Sequence, residues 1–159
     1  FMGMQVAHFG IAIFVIGITM VGAYQEEKDV RMLPGDTVNV GGYQIQLMEV
    51  SKVPGPNYEA MRGTFLLTKN GDAQTTLYPE KRNYFSSTMP MTEAAIDAGL
   101  TRDIYVSLGE ELGDHSWVVR VYYKPFVDWI WGGCLLMALG GVLAISDKRY
   151  RMKLKKAVS

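Results

Sequence analysis

The chain reads as a membrane protein in which two transmembrane α-helices flank a small extracytoplasmic antiparallel β domain, a sandwich or a barrel. Three features of the sequence predict this. From Phe1 to Tyr24 no residue bears a formal charge. A second apolar run, WIWGGCLLMALGGVLAIS, covers Trp129–Ser146. Between them lie short stretches of alternating apolar and polar residues separated by turn signals, the pattern of half-buried strands. The polar middle dilutes the two apolar ends, which is why the mean hydropathy is only +0.05.

The first element, residues 1–24, is expected to cross the membrane from inside to outside. At about 1.5 Å per residue it is long enough for a hydrocarbon core of about 30 Å. It has no charged n-region and no A-x-A-like site, so it does not read as a cleaved signal peptide. Because the chain starts inside the apolar run, we expect the C-terminal piece of a larger membrane protein. His8 is the one ionisable side chain in this run. An intramembrane histidine has two readings. It is a neutral imidazole bonded to a neighbouring helix, a contact worth about 0.6 kcal/mol, or it marks a proton path, a quinone site or a cofactor ligand. No second acidic or histidine residue accompanies it in the span to make a relay. Of the residues one turn away, Met4 and Gln5, only Gln5 offers a side chain that accepts a hydrogen bond. Gly3, Gly10 and Gly17 recur every seven residues, with Ala7 four after Gly3, so another helix or a flat macrocycle can come close.

Residues 25–125 read as strands. In VNVGGYQIQLMEV, Gly41-Gly42 marks a turn, after which Tyr43, Ile45 and Leu47 share one face. GTFLLTKNGDAQTTLY places Asn70-Gly71 between two β-rich runs, a type I′ hairpin signal. DIYVSL and WVVRVYY are β-branched and aromatic. VPGPNY is a loop or edge excursion. MTEAAIDAGL reads as a short helix with Thr92 near its start and Gly99 at its end. About six strands are expected in all. No Gly-rich phosphate loop, nucleophile elbow or HExxH is present. His115, in the polar turn GEELGDHSW, reads as a solvated loop residue. Lys81 and Arg82, followed by Tyr84 and Phe85, are an ordinary strand end or a docking surface for an extracytoplasmic partner.

The second span covers residues 126–146, running from outside to inside, with Trp129 and Trp131 suited to the headgroup belt. Cys134, the only cysteine, lies in it and reads as an inert packing residue. Residues 147–159 form a basic cytoplasmic tail, with Lys148, Arg149, Arg151, Lys153, Lys155 and Lys156 against Asp147. The central segment holds ten basic and fourteen acidic residues. A basic cluster beside a span stays inside, so the central segment is placed outside. That position accounts for the tail without a nucleic-acid partner.

The blocks VAHFGIAIFVIGIT, EEKDVRMLPGD, EKRNYFSSTMPMTEAAIDAGLTRDIYVSLGEEL and VRVYYKPFVDWIWGGCLLMALGG, then DKRYR, together resemble the C-terminal part of the CcmF family, membrane haem lyase subunits of cytochrome c-type biogenesis. They are also similar to the paralogues dedicated to nitrite-reductase maturation. The resemblance implies a multi-pass protein of the bacterial inner membrane with its central domain in the periplasm. It implies haem transfer from a periplasmic haem chaperone to apocytochrome c, which a thiol-handling subunit presents. It also implies a transmembrane b-type haem held by two histidines on different helices, with quinol as electron source. One ligand falls in the family's AH-small-G segment, which matches Ala7-His8 and Gly10, so His8 is implied as an axial ligand to haem iron. The family's Trp-rich segment, its flanking periplasmic histidines and the other haem ligand have no match here. By this reading the chain is incomplete as a catalyst and needs the remaining part of the same haem lyase. Two alternatives stand beside it: a partner-docking module of the maturation complex, or haem transport without catalysis.

Overall fold

The computed structural model describes residues 2–146, and the basic tail lies outside them. The chain forms two compact units. One unit holds the helices α1 (Met2–Tyr24) and α2 (Val127–Ser146) together with the turn residues Leu100–Arg102. Both helices are long and apolar enough to cross a membrane. They pack antiparallel along a glycine seam. The only buried residues of α1 are Gly3, Gly10 and Gly17, and those of α2 are Gly133 and Gly140. A Cβ placed on Gly3 would lie 2.7 Å from the Gly140 carbonyl oxygen, and one on Gly10 would lie 2.8 Å from that of Gly133. Gly17 faces Ile130 and Trp129. Side chains are absent where the backbones touch, so van der Waals contact between main chains is the packing force, as expected where no hydrophobic effect separates helix from lipid. The seven-residue spacing on both helices keeps the contact on one line. Large apolar residues such as Phe9, Val15, Leu135 and Val142 are exposed on the other faces.

The other unit is a two-sheet β sandwich. The smaller sheet has the order β1 (Glu26–Met32), β10 (Trp117–Pro125), β9 (Arg102–Glu111), β8 (Ala95–Gly99). The larger runs β2 (Thr37–Val40), β3 (Tyr43–Pro54), β4 (Tyr58–Lys69), β6 (Glu80–Tyr84), β7 (Met91–Glu93). The sixth strand of that sheet, β5 (Asp72–Leu77), also pairs with β4. The first part of β4, Tyr58–Arg62, pairs with β6, and its end, Phe65–Lys69, pairs with β5. Period-two alternation builds the core. Ile45, Leu47, Phe65 and Leu67 from the larger sheet are fully buried, as are Ile104, Val106, Leu108, Val119 and Val121 from the smaller. Each such side chain contributes about 1.5–3 kcal/mol by leaving water.

The two turns expected from sequence are present. Asn70 and Gly71 take φ of +54° and +89°, as a primed turn requires, and join β4 to β5. Gly41 and Gly42 join β2 to β3. At Gly41 a Cβ would also strike the Tyr123 ring at 2.3 Å, so glycine is needed there twice over. Residues 91–99 are not the expected short helix; they form strands β7 and β8. Ala95, Asp97 and Gly99 are half-buried while Ile96 and Ala98 are exposed, a period of two. Ala95 packs against the core and β8 hydrogen-bonds to β9, so tertiary pairing overrides the helix propensity of the two alanines. Among the described residues there are ten strands where about six are read from sequence. The short ones, β2, β6, β7 and β8, have no long apolar run to announce them.

Candidate functional site

His8 sits in the middle of the second turn of α1, and the helix period decides where it points. It stands five positions after Gly3 and two before Gly10. At 3.6 residues per turn this puts it roughly 160° around the helix from the glycine seam. His8 is accordingly exposed, on the side of α1 turned away from α2. Ala12, Val15 and Thr19 fall close to the same line of the helix.

The ring is already oriented. Its Nδ1 lies 2.7 Å from the carbonyl oxygen of Met4, one turn back. A carbonyl only accepts, so Nδ1 is the nitrogen that carries the proton. In the neutral ring that leaves the lone pair on Nε2. The sequence reading looked to the Gln5 side chain for this acceptor; the backbone carbonyl of Met4 serves instead. Thr19 is satisfied in the same way, its Oγ1 donating to the Val15 carbonyl at 2.8 Å. The glycine stripe and Ala7 are fully used by α2: a Cβ on Gly140 would meet Ala7 N at 2.5 Å. That face therefore holds a helix and has no room for a flat macrocycle, while the His8 face is open.

A single imidazole with a fixed tautomer can take one coordination position of a transition-metal centre, and haem iron fits that donor. α2 contains no histidine. His115, the other histidine, belongs to the sandwich. It is 91% exposed, and its Nδ1 lies 3.1 Å from Glu111 Oε1 in a turn where it takes φ of +64°. That is the solvated loop residue expected. Among the described residues no group of three or more His, Cys, Asp and Glu is placed to hold a metal ion. Cys134 is a free, half-buried thiol in α2.

The other segment of interest, Glu80–Arg82, forms an ion-pair ladder across β4, β6 and β7. Glu80 is 5% exposed. It accepts from Arg62 Nε at 2.7 Å and from Arg82 Nε at 2.8 Å. Burial disfavours its charge, but the hydrogen bonds from Arg82 and Arg62 outweigh that and hold the carboxyl below its ordinary value. Arg82 also reaches Glu93 at 3.4 Å and lies 4.7 Å over the Tyr58 ring. Its guanidinium thus has carboxylate partners within the sheet.

Comparison with known proteins places these features. Residues 23–125 match the family described as CcmF C-terminal beta-sandwich. Cytochrome c-type biogenesis protein CcmF of Pseudomonas aeruginosa is 51% identical over 156 residues, 98% of this chain and 24% of that protein. CcmF of Escherichia coli is 49% identical over 151 residues, covering 95% and 23% respectively. The similarly described NrfE of Haemophilus influenzae is 36% identical over 151 residues, 95% of this chain and 24% of that protein. The chain thus spans about a quarter of the length of the curated relatives it matches. A solved structure titled Cytochrome c Heme Lyase CcmF shares the fold with a TM-score of 0.73 at 20% identity, over 91% of this chain and 24% of that one.

Proposed function

Because the chain belongs to the CcmF family of cytochrome c-type biogenesis proteins, we propose that it is the C-terminal portion of a membrane haem lyase and that His8 is an axial ligand to a b-type haem within the bilayer. The observation that carries this reading is the hydrogen bond from His8 Nδ1 to the Met4 carbonyl at 2.7 Å. Histidines that ligate metals almost always give their other ring N–H to a carbonyl or carboxylate, which fixes the tautomer and raises the basicity of the ligating nitrogen. His8 Nε2 would hold the iron. Met4 fixes the proton of the neutral ring on Nδ1, and the glycine seam holds α1 at a set height and rotation against α2.

Bound there, the haem would supply one-electron redox chemistry whose potential follows from its axial ligands and the polarity of the site. The second axial ligand comes from a helix outside this chain. Sixteen residues, about 24 Å of helix, separate His8 from Tyr24, so with α1 running outward the ring lies in the cytoplasmic half of the membrane. The sandwich then stands in the periplasm, on the side where a haem chaperone and an apocytochrome c held by a thiol-handling subunit would meet the complete protein. Quinol is the corresponding electron source. Thioether formation requires ferrous haem, so a reducing site in the same protein has a chemical purpose.

Replacing His8 with Ala in the complete protein should abolish the b-type bands of the dithionite-reduced spectrum while the protein still accumulates in the membrane. Bands of unchanged height would reject the assignment.

A further inference from the structure

We propose that the tip of the β8–β9 turn is a membrane anchor: Leu100 inserts into lipid at the boundary between headgroups and acyl chains, on the side of the bilayer where α2 begins. The inference rests on reading α1 and α2 as membrane spans. The tip consists of Leu100 and Thr101. Two-residue hairpin tips usually carry Gly, Asn or Asp, which suit the backbone and face water. Here a leucine stands at the apex, 74% exposed.

Two hydrogen bonds fasten the tip to the start of α2, and a ring contact braces the residues that make them. Trp129 Nε1 donates to the Leu100 carbonyl at 3.1 Å. Phe126 N donates to the Thr101 carbonyl at 2.9 Å. The Phe126 ring stacks edge-on against Trp129 with centroids 5.0 Å apart. Phe126 has φ of +57°, a conformation that bulky residues adopt only where the surroundings enforce it. The junction is built to hold the turn at the height of Trp129.

That height is set by α1. Gly17 stands against Trp129 and Ile130. From Gly17, α1 continues for seven residues, about 10 Å, to Tyr24 without a charge. The level of Trp129 therefore lies within the apolar length of α1, and the turn hanging from its indole shares that level. A tryptophan whose N–H is satisfied by a carbonyl and whose ring is apolar suits the membrane boundary. An exposed leucine beside it meets lipid.

The test uses the complete protein, with Cys134 and any other cysteine replaced by Ser. It is reconstituted in phosphatidylethanolamine–phosphatidylglycerol vesicles and carries an NBD fluorophore on Leu100→Cys. The reference labels are Asp72→Cys, in the β4–β5 hairpin, and Leu135→Cys, in α2. We expect the Leu100 label to be blue-shifted, and quenched several-fold more than the Asp72 label by lipids bearing a nitroxide near the headgroup end of the acyl chain. We also expect it to be shielded from aqueous iodide. Iodide quenching equal to that at Asp72 would overturn the proposal, and so would protection from both quenchers, which would mean that protein covers the tip. Iodide access at Leu135 would instead overturn the spans themselves. Leu100→Trp with brominated lipids repeats the measurement without a label, and circular dichroism confirms that each variant is folded.

Discussion

The glycine seam makes a prediction whose sign runs against ordinary helix propensity. In an isolated helix Gly→Ala stabilises, by about 0.5–1 kcal/mol. At Gly10 the new methyl would lie 2.7 Å from Met137 N and 2.8 Å from Gly133 O, both backbone atoms that cannot rotate away. Restoring the shorter contact to 3.4 Å requires the helices to part by about 0.7 Å, the difference between 3.4 and 2.7. A gap of that size forfeits roughly a quarter to a half of each contact's dispersion attraction along the seam. Overpacking of this kind costs about 1–3 kcal/mol, and after the propensity gain Gly10→Ala should destabilise by up to about 2.5 kcal/mol. Gly22 on the same helix is the control, since nothing stands within 4 Å of its Cβ position. The assay is unfolding of the complete protein by SDS titration, followed by circular dichroism. Gly10→Ala should lower the midpoint and Gly22→Ala should leave it unchanged or raise it. Gly133→Ala obstructs the same approach from the other side, its Cβ meeting Gly10 O at 2.7 Å; helices already parted by one methyl admit the other more cheaply, so the double variant should cost less than the sum of the singles. Equal midpoints for Gly10→Ala and Gly22→Ala would refute the reasoning.

Three further outcomes follow from the sandwich. Phe65→Ala empties the centre of the core, where the ring is fully buried, and should cost about 3–5 kcal/mol, read as a lowered midpoint of chemical unfolding monitored at Trp117. Glu80→Gln removes the charge that Arg62 and Arg82 share and should destabilise by about 2–3 kcal/mol, less than a deeply buried pair because both guanidinium groups are partly exposed. The same carboxylate gives an acid limb: its folded pKa is depressed, so its contribution is complete above the unfolded value near 4.5 and is lost as pH falls through the lower folded value. A stability–pH profile of Glu80→Gln should therefore be flatter below pH 4.5 than that of the parent; parallel profiles would show that the ladder is not what titrates.

Much of this molecule is set by local chemistry, and that part is readable in the chain. Two uncharged apolar runs read as buried helices or spans, Asn70-Gly71 reads as a tight turn, and the alternation that puts Tyr43, Ile45 and Leu47 on one face marks the side that is buried. His8 stands out because an ionisable group in such a run is costly and therefore needs a reason. The tertiary structure decided what depends on neighbours distant in sequence. Residues 91–99 became strands because β6 and β9 offer them hydrogen bonds that local propensity does not foresee. Arg82 lost its appearance as a free binding group because Glu80, Glu93 and Tyr58 surround it. The glycines of α1 acquired a partner in α2, and that assignment turned His8 toward the opposite side. The acceptor for its ring is a backbone carbonyl, a group every residue possesses, and so no side-chain pattern announces it.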